Sequence, residues 1–122
     1  MTTIDLFNNA HDFVIIPAGQ VIFAQGGVAD QMYAIIEGEV EILINGKLLE
    51  TTAAGGIIGE MALIDSSPRS ANAIARTECK LVPVDQKRFN FLVQQTPNFA
   101  INVMKIMIAR IRKLDALVLS LK

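Results

Sequence analysis

The chain has 122 residues, 11 Lys and Arg against 12 Asp and Glu, a formal net charge of −1, 52% hydrophobic residues and 19% charged. That is one domain able to bury its own core; the composition excludes a disordered chain, and the charge balance argues against nucleic acid, whose binding needs clustered positive charge. One cysteine, Cys79, and one histidine, His11, exclude a disulfide framework and a cysteine-based zinc site and leave little for a histidine-based metal site or a Ser-His-Asp triad.

Residues 1–13 carry acids but no Lys or Arg, unlike a signal or transit peptide. From residue 14 to about 85 the chain is rich in Val, Ile and Gly, in short apolar runs separated by turn signals, the pattern of a sandwich or barrel of short strands. Val14-Ile15-Ile16 stops at Pro17-Ala18-Gly19, and Val21-Ile22-Phe23 at Gly26-Gly27. Residues 31–36 form a longer run, stopped by Glu37-Gly38. In residues 39–44 alternation places Val40, Ile42 and Ile44 on one face. Asn45-Gly46 follows, then Lys47-Leu48-Leu49: a hairpin, because a type I′ turn needs positive φ at both centre residues. Residues 72–76 and 79–84 predict two further strands, the second at a sheet edge or ending because of Pro83.

From about residue 86 the period becomes helical. Asp85 is placed to cap a short helix carrying Phe89, Leu92 and Val93, broken at Thr96-Pro97-Asn98. Pro97 or Asn98 opens a long helix that runs to the end of the sequence. On it Met104, Met107, Ile111, Leu114, Val118 and Leu121 step by 3, 4, 3, 4, 3, a heptad seam of about two and a half repeats. So short a seam reads two ways: as the face packed on its own domain, or as the face of a homodimer or of a partner protein. Lys105, Arg110, Arg112 and Lys113 against Asp115 read as a solvated face. No stretch reaches the roughly 18 uninterrupted apolar residues of a membrane span, and a cytoplasmic location is expected.

The chemistry concentrates in residues 55–71. Gly55, Gly56 and Gly59 permit tight turns and close approach of a ligand. Glu60-Met61-Ala62-Leu63-Ile64 predicts one or two helical turns, ended by Ser66-Ser67-Pro68. A short helix after a glycine offers free N–H groups and a positive dipole end, which suit an anion. Arg69 adds a guanidinium suited to phosphate, Ser70 a hydroxyl, and Ala71 room for a backbone N–H to approach. Glu60 sits comfortably beside a phosphate only if it binds something else, and a ribose hydroxyl is a natural donor to it. Together these groups imply a compact ligand with a sugar hydroxyl and a phosphate. Taken singly, the glycines read as turns and the Glu60 and Arg69 pair as surface ions.

In combination, Gly59-Glu60-Met61-Ala62-Leu63-Ile64 followed four residues later by Arg69-Ser70-Ala71 resembles the phosphate-binding cassette of the cyclic nucleotide-binding domains. Pro17-Ala18-Gly19, Ile22-Phe23, Gly26, Met32-Tyr33, Ile35, Gly38, Val40 and Ile42 are similar to the glycine and apolar pattern of that family's β-roll, so the resemblance runs from about residue 12 to the C-terminus. It implies an α+β, mainly β fold in residues 1–122: a jelly-roll-like β-roll of about eight short antiparallel strands over about 12–85, a short cassette helix, a short N-terminal helical segment, and C-terminal helices over about 86–122. It implies a cAMP ligand first and cGMP as an alternative, with no further cofactor, no metal and no turnover of the ligand.

The implied roles follow residue by residue. Glu60 after Gly59 takes the ribose 2′-hydroxyl. Arg69 neutralises the cyclic phosphate, with backbone N–H groups around Met61, Ala62 and Ala71 completing the cradle. Ser70 contacts the phosphate or a syn guanine. Gly56 and Ile58 stand where the family often has an acid and an aromatic. The Thr-Ser pair that reads adenine in the catabolite-activator branch falls near Leu114 and Asp115, which cannot make those bonds. In the channel-type branch an arginine about one turn earlier caps the purine, and Arg110 stands there, with an ordinary solvated arginine as its other reading. No helix-turn-helix region follows before Lys122, so the output is expected to leave through the domain, its helical seam or a partner. Two other functions compete with a receptor: an interaction module that keeps the fold without a ligand, motivated by the seam, and a cupin-type metal enzyme, for which His11 supplies no ligand set.

Overall fold

The computed structural model describes Phe7 and residues 10–120, apart from the side chain of Ala62. Eight strands come first, with one short helix among them: β1 Val14–Ile16, β2 Val21–Phe23, β3 Gln31–Glu37, β4 Glu39–Ile44, β5 Lys47–Ala53, β6 Ile57–Ile58, α1 Glu60–Asp65, β7 Asn72–Ala75 and β8 Cys79–Asp85. Two helices close the chain, α2 Gln86–Gln95 and α3 Pro97–Ser120. The strands form two four-stranded antiparallel sheets, ordered β1-β8-β3-β6 and β2-β7-β4-β5. This is the mainly β roll with C-terminal helices that the resemblance implied. The N-terminal helical segment expected there falls mostly on residues outside those described.

Alternation builds two cores from one sheet. On β3 and β8, Ile35, Cys79 and Leu81 face the second sheet, where they meet Val40, Ile42, Ala73 and Ala75. Met32, Ala34, Val82 and Val84 point the other way, onto Phe99 and Val103 of α3, Leu63 of α1, and Phe7. Strands β3 and β8 are therefore buried on both faces, the second sheet on one. Each fully buried large apolar side chain contributes about 1.5–3 kcal/mol relative to exposure.

Local chemistry sets the turns and caps. Asn45 and Gly46 have φ of 51° and 80°, the paired positive values of a type I′ turn, between Ile44 and its partner Lys47. Asp85 accepts from the Arg88 N–H at 2.8 Å and starts α2. Pro97 opens α3, where the first position needs no N–H donor.

Four details differ from the sequence reading. β5 begins at Lys47 as read and runs on past Leu49 to Ala53. β6, two residues between glycines, is too short to show a period. β8 is an interior strand despite Pro83; β1 reaches only Val14, opposite Leu81, so Pro83 has no neighbouring strand on that side. The expected seam on α3 is divided: Met107 packs on the core, Leu114 is half-buried, Met104, Ile111 and Val118 are exposed, and Leu121 lies outside the described residues. The helix turns Phe99, Val103 and Arg110 inward instead.

Candidate functional site

One cavity of about 310 Å³ opens between the second sheet, the α1 segment and α3. Seven of the eight expected site residues belong to it or reach it: Gly59, Glu60 and Met61 at the start of α1, Arg69, Ser70 and Ala71 before β7, and Arg110 on α3. Ala62 lies one position further into α1, and its side chain is outside the described set. Phe23, Ile42, Ile44 and Leu49 from the sheet and Ile111 and Leu114 from α3 give the rest of the wall an apolar character.

Arg69 is 4% exposed, unusual for a guanidinium without an acid beside it. Among the described residues its hydrogen bonds go to carbonyls alone: Nη1 donates to Gly59 at 3.1 Å and Nη2 to Gln31 at 2.5 Å. The guanidinium lies over the Phe23 ring, 4.2 Å from Cζ to the ring centre. Nε is buried and has no partner among the described residues. Backbone bonds between Arg69 and Gly26 and Gly27 pin the loop, at 2.7 Å and 3.0 Å. Burial pulls the Arg69 pKa down, against the opposing influence of Tyr33, Asp30 and Glu60. The group stays protonated and lacks a counter-anion in hydrogen-bond contact.

Glu60 is 1% exposed. Its Oε1 accepts from Arg110 Nη1 at 2.5 Å, and its Oε2 has no partner among the described residues. Arg110, 7% exposed, is also held by Glu50, whose Oε1 accepts from Nε at 2.5 Å. Its Nη2 donates to Thr52 Oγ1 at 3.3 Å and to the Ile57 carbonyl. Burial pulls the Arg110 pKa down, but the charges of Glu60 and Glu50 overcome it and hold the group above its ordinary value. Arg110 is not the solvated arginine of one expectation but a buried cation shared by two carboxylates, on the wall of the cavity.

Sequence reasoning missed Glu50, Thr52, Phe23 and the Gln31 carbonyl as neighbours of this chemistry. Glu50 reaches the site through a bulge: Ile42 pairs with Glu50 and Leu43 with Leu48, so Leu49 is an extra residue and strand alternation breaks. Leu49 then lines the cavity while its neighbour Glu50 grips α3. The polar Glu50 and Thr52 at i and i+2 after a hairpin were the available signal. Of the two positions opposite the adenine-reading pair, Leu114 reaches the cavity with an apolar side chain and Asp115 is exposed.

The site thus offers a buried cation lacking an anion and a carboxylate oxygen lacking a donor, on the walls of one small cavity. No helix is long and apolar enough to cross a membrane among the described residues. A cyclic nucleotide-gated potassium channel of Rhizobium etli is 40% identical over 96 residues, covering 79% of this chain and 27% of the channel. A cAMP-dependent protein kinase regulatory subunit of Schizosaccharomyces pombe is 38% identical over 81 residues, 66% of this chain and 20% of that protein. The chain thus spans only about a quarter of each relative. The crystal structure of the Thermus thermophilus catabolite activator protein superposes with a TM-score of 0.79 at 27% identity, covering 97% of this chain and 58% of that one. Residues 13–96 match the family described as the cyclic nucleotide-binding domain, and the cavity walls carry the Gly59-Glu60 and Arg69-Ser70-Ala71 groups on which the resemblance rested: the chain belongs to that family.

Proposed function

We propose that this chain is a cyclic nucleotide receptor, taking cAMP first and cGMP as an alternative. One observation carries the reading: Arg69 Nε and Glu60 Oε2, a donor and an acceptor, are both buried and without a partner on residues of the same cavity. A cyclic phosphate supplies the acceptor and a ribose 2′-hydroxyl the donor. Leaving such groups unmade costs about 1–3 kcal/mol each, more where charge is involved, so a ligand that meets both is favoured. The apolar wall of Ile42, Ile44, Leu49, Ile111 and Leu114 suits a purine. Ser70 is exposed at the rim and accommodates a guanine as well as an adenine. The kinase regulatory relative, cAMP-dependent by name, supports cAMP.

The signal leaves through α3. Arg110, Ile111 and Leu114 give this helix contacts in the cavity, so a ligand that binds one helix position better than another shifts the population toward it. A cytoplasmic setting fits such a receptor. Calorimetric titration of nucleotide-stripped protein with cAMP, cGMP and 5′-AMP tests the reading. Saturable heat with cAMP and none with 5′-AMP is expected; silence with all three overturns it.

A second reading is favoured by the exposed apolar stripe Ile101, Met104, Ile108, Ile111 and Val118 of α3. Its steps of 3, 4, 3 and 7 keep a heptad phase. A second copy of the chain supplies the same repeat in return, and self-association along this face is the occupant we propose.

A further inference from the structure

Glu50 is a partly buried carboxylate outside the segment that binds phosphate in the reading above, with its side chain 10% exposed. Its two oxygens do different things. Oε1 accepts from Arg110 Nε, while Oε2 accepts from Thr52 Oγ1 at 3.0 Å and lies 3.4 Å from Lys113 Nζ. Arg110 Nη2 closes a ring by donating to the same Thr52 hydroxyl, and also donates to the Ile57 carbonyl. Nη1 alone is left for Glu60, and it meets Oε1 only. Guanidinium and carboxylate favour a two-pronged arrangement that uses both oxygens. Here the second prong is held elsewhere, and Glu60 Oε2 stays without a partner.

We propose that Glu50 is a positioning residue: by tying Arg110 down through Nε, it restricts the guanidinium to one oxygen of Glu60 and keeps Oε2 open for the ligand's 2′-hydroxyl. The proposal rests on the cyclic nucleotide reading above. A neutral amide in place of the Glu50 carboxylate weakens the hold on Nε and, through Thr52, on Nη2, and leaves the guanidinium free to turn Nη1 and Nη2 together onto both oxygens of Glu60. Guanidinium and 2′-hydroxyl then compete for one oxygen. The loss is selective, because a ligand lacking the 2′-hydroxyl has nothing to lose there. Thr52 contributes by fixing the orientation of both Glu50 and Arg110.

The test titrates the wild type, Glu50→Gln and Thr52→Val with cAMP and with 2′-deoxy-cAMP, with circular dichroism reporting the fold of each. The wild type is expected to prefer cAMP about tenfold or more, the range for a hydrogen bond to a charged group. In Glu50→Gln that preference falls to within about threefold of unity, with 2′-deoxy-cAMP affinity nearly unchanged. Thr52→Val shows a smaller fall in the same direction. An unchanged preference in a folded Glu50→Gln overturns the proposal, as does an equal loss for both ligands, which marks a purely structural role. Should Glu50→Gln fail to fold, an unchanged preference in Thr52→Val overturns it. A wild type that binds cAMP without regard to the 2′-hydroxyl defeats this proposal and leaves the receptor standing; a wild type that binds neither ligand defeats both.

Discussion

Gly59 and Arg69 leave no room for a side chain between them. A Cβ on Gly59 would lie 2.5 Å from Arg69 Nη1, the nitrogen that donates to the Gly59 carbonyl at 3.1 Å. Gly59 also has φ of +79°, where any other residue is strained by roughly 1–2 kcal/mol. Gly59→Ala is therefore expected to lose stability and to displace the guanidinium, weakening nucleotide binding. Gly46→Ala separates the two effects. Gly46 has φ of +80°, but a Cβ there would meet nothing within 4 Å, so it carries the strain alone. Urea denaturation with ligand titration should find both variants destabilised and only Gly59→Ala impaired in binding. Equal affinities would mean that the glycine does not set the position of Arg69.

Glu50 makes acid stability predictable in sign. Burial pushes its carboxyl up, but the charge and hydrogen bond of Arg110, helped by Thr52 and Lys113, outweigh this and hold it below its ordinary value. A carboxyl more acidic folded than unfolded adds stability that is complete above the unfolded value of about 4.3 and vanishes as pH falls through the folded value. The wild type should thus exceed Glu50→Gln in unfolding free energy at neutral pH, and the gap should shrink as the pH falls below the ordinary carboxylate range. A gap that stays constant or widens on acidification would contradict the assignment of this pair.

Association along α3 should be weak and improvable. The exposed stripe skips one heptad position, between Ile111 and Val118, and Asp115 occupies it. In a self-paired seam that position brings a charge into an apolar contact, at a cost in stability. Sedimentation is expected to find concentration-dependent association in the wild type, monomer in Met104→Glu with Val118→Glu, and tighter association in Asp115→Leu. Identical behaviour of all three would remove the seam as an interface.

What the sequence disclosed here follows the range of the interactions involved. The Asn45-Gly46 hairpin and the Asp85 cap depend on neighbours within three residues, and both formed as read. Glu60 and Arg69 were legible because one short segment carries both. Glu50 was not, because its place depends on a bulge at Leu49 and on α3 returning to β5 some sixty residues later. The phase of α3 was also open: stripes rotated by one position both satisfy a helical period, and only docking on β3 and β8 turned Phe99 and Val103 inward, as the pairing with Glu50 and Glu60 did Arg110.

The two arginines of the cavity should respond oppositely to removal. Arg69 satisfies only carbonyls, so Arg69→Met strands no carboxylate and also removes a buried charge that lacks a counter-ion. Its stability cost should stay within about 1–2 kcal/mol, the range for unmet neutral acceptors. Binding should fall steeply, by about 2–5 kcal/mol or roughly thirtyfold to several thousandfold, because the ligand's phosphate loses its buried partner. Arg110→Met strands the buried Glu60 and leaves the partly buried Glu50 with Thr52 and Lys113 alone, and breaking a buried pair in this way costs about 3–5 kcal/mol of stability. Denaturation should therefore rank Arg110→Met as the less stable variant, and titration should rank Arg69→Met as the weaker binder among folded molecules. The reverse order in denaturation would identify Arg69 as a structural residue and remove the main support for a phosphate at that position.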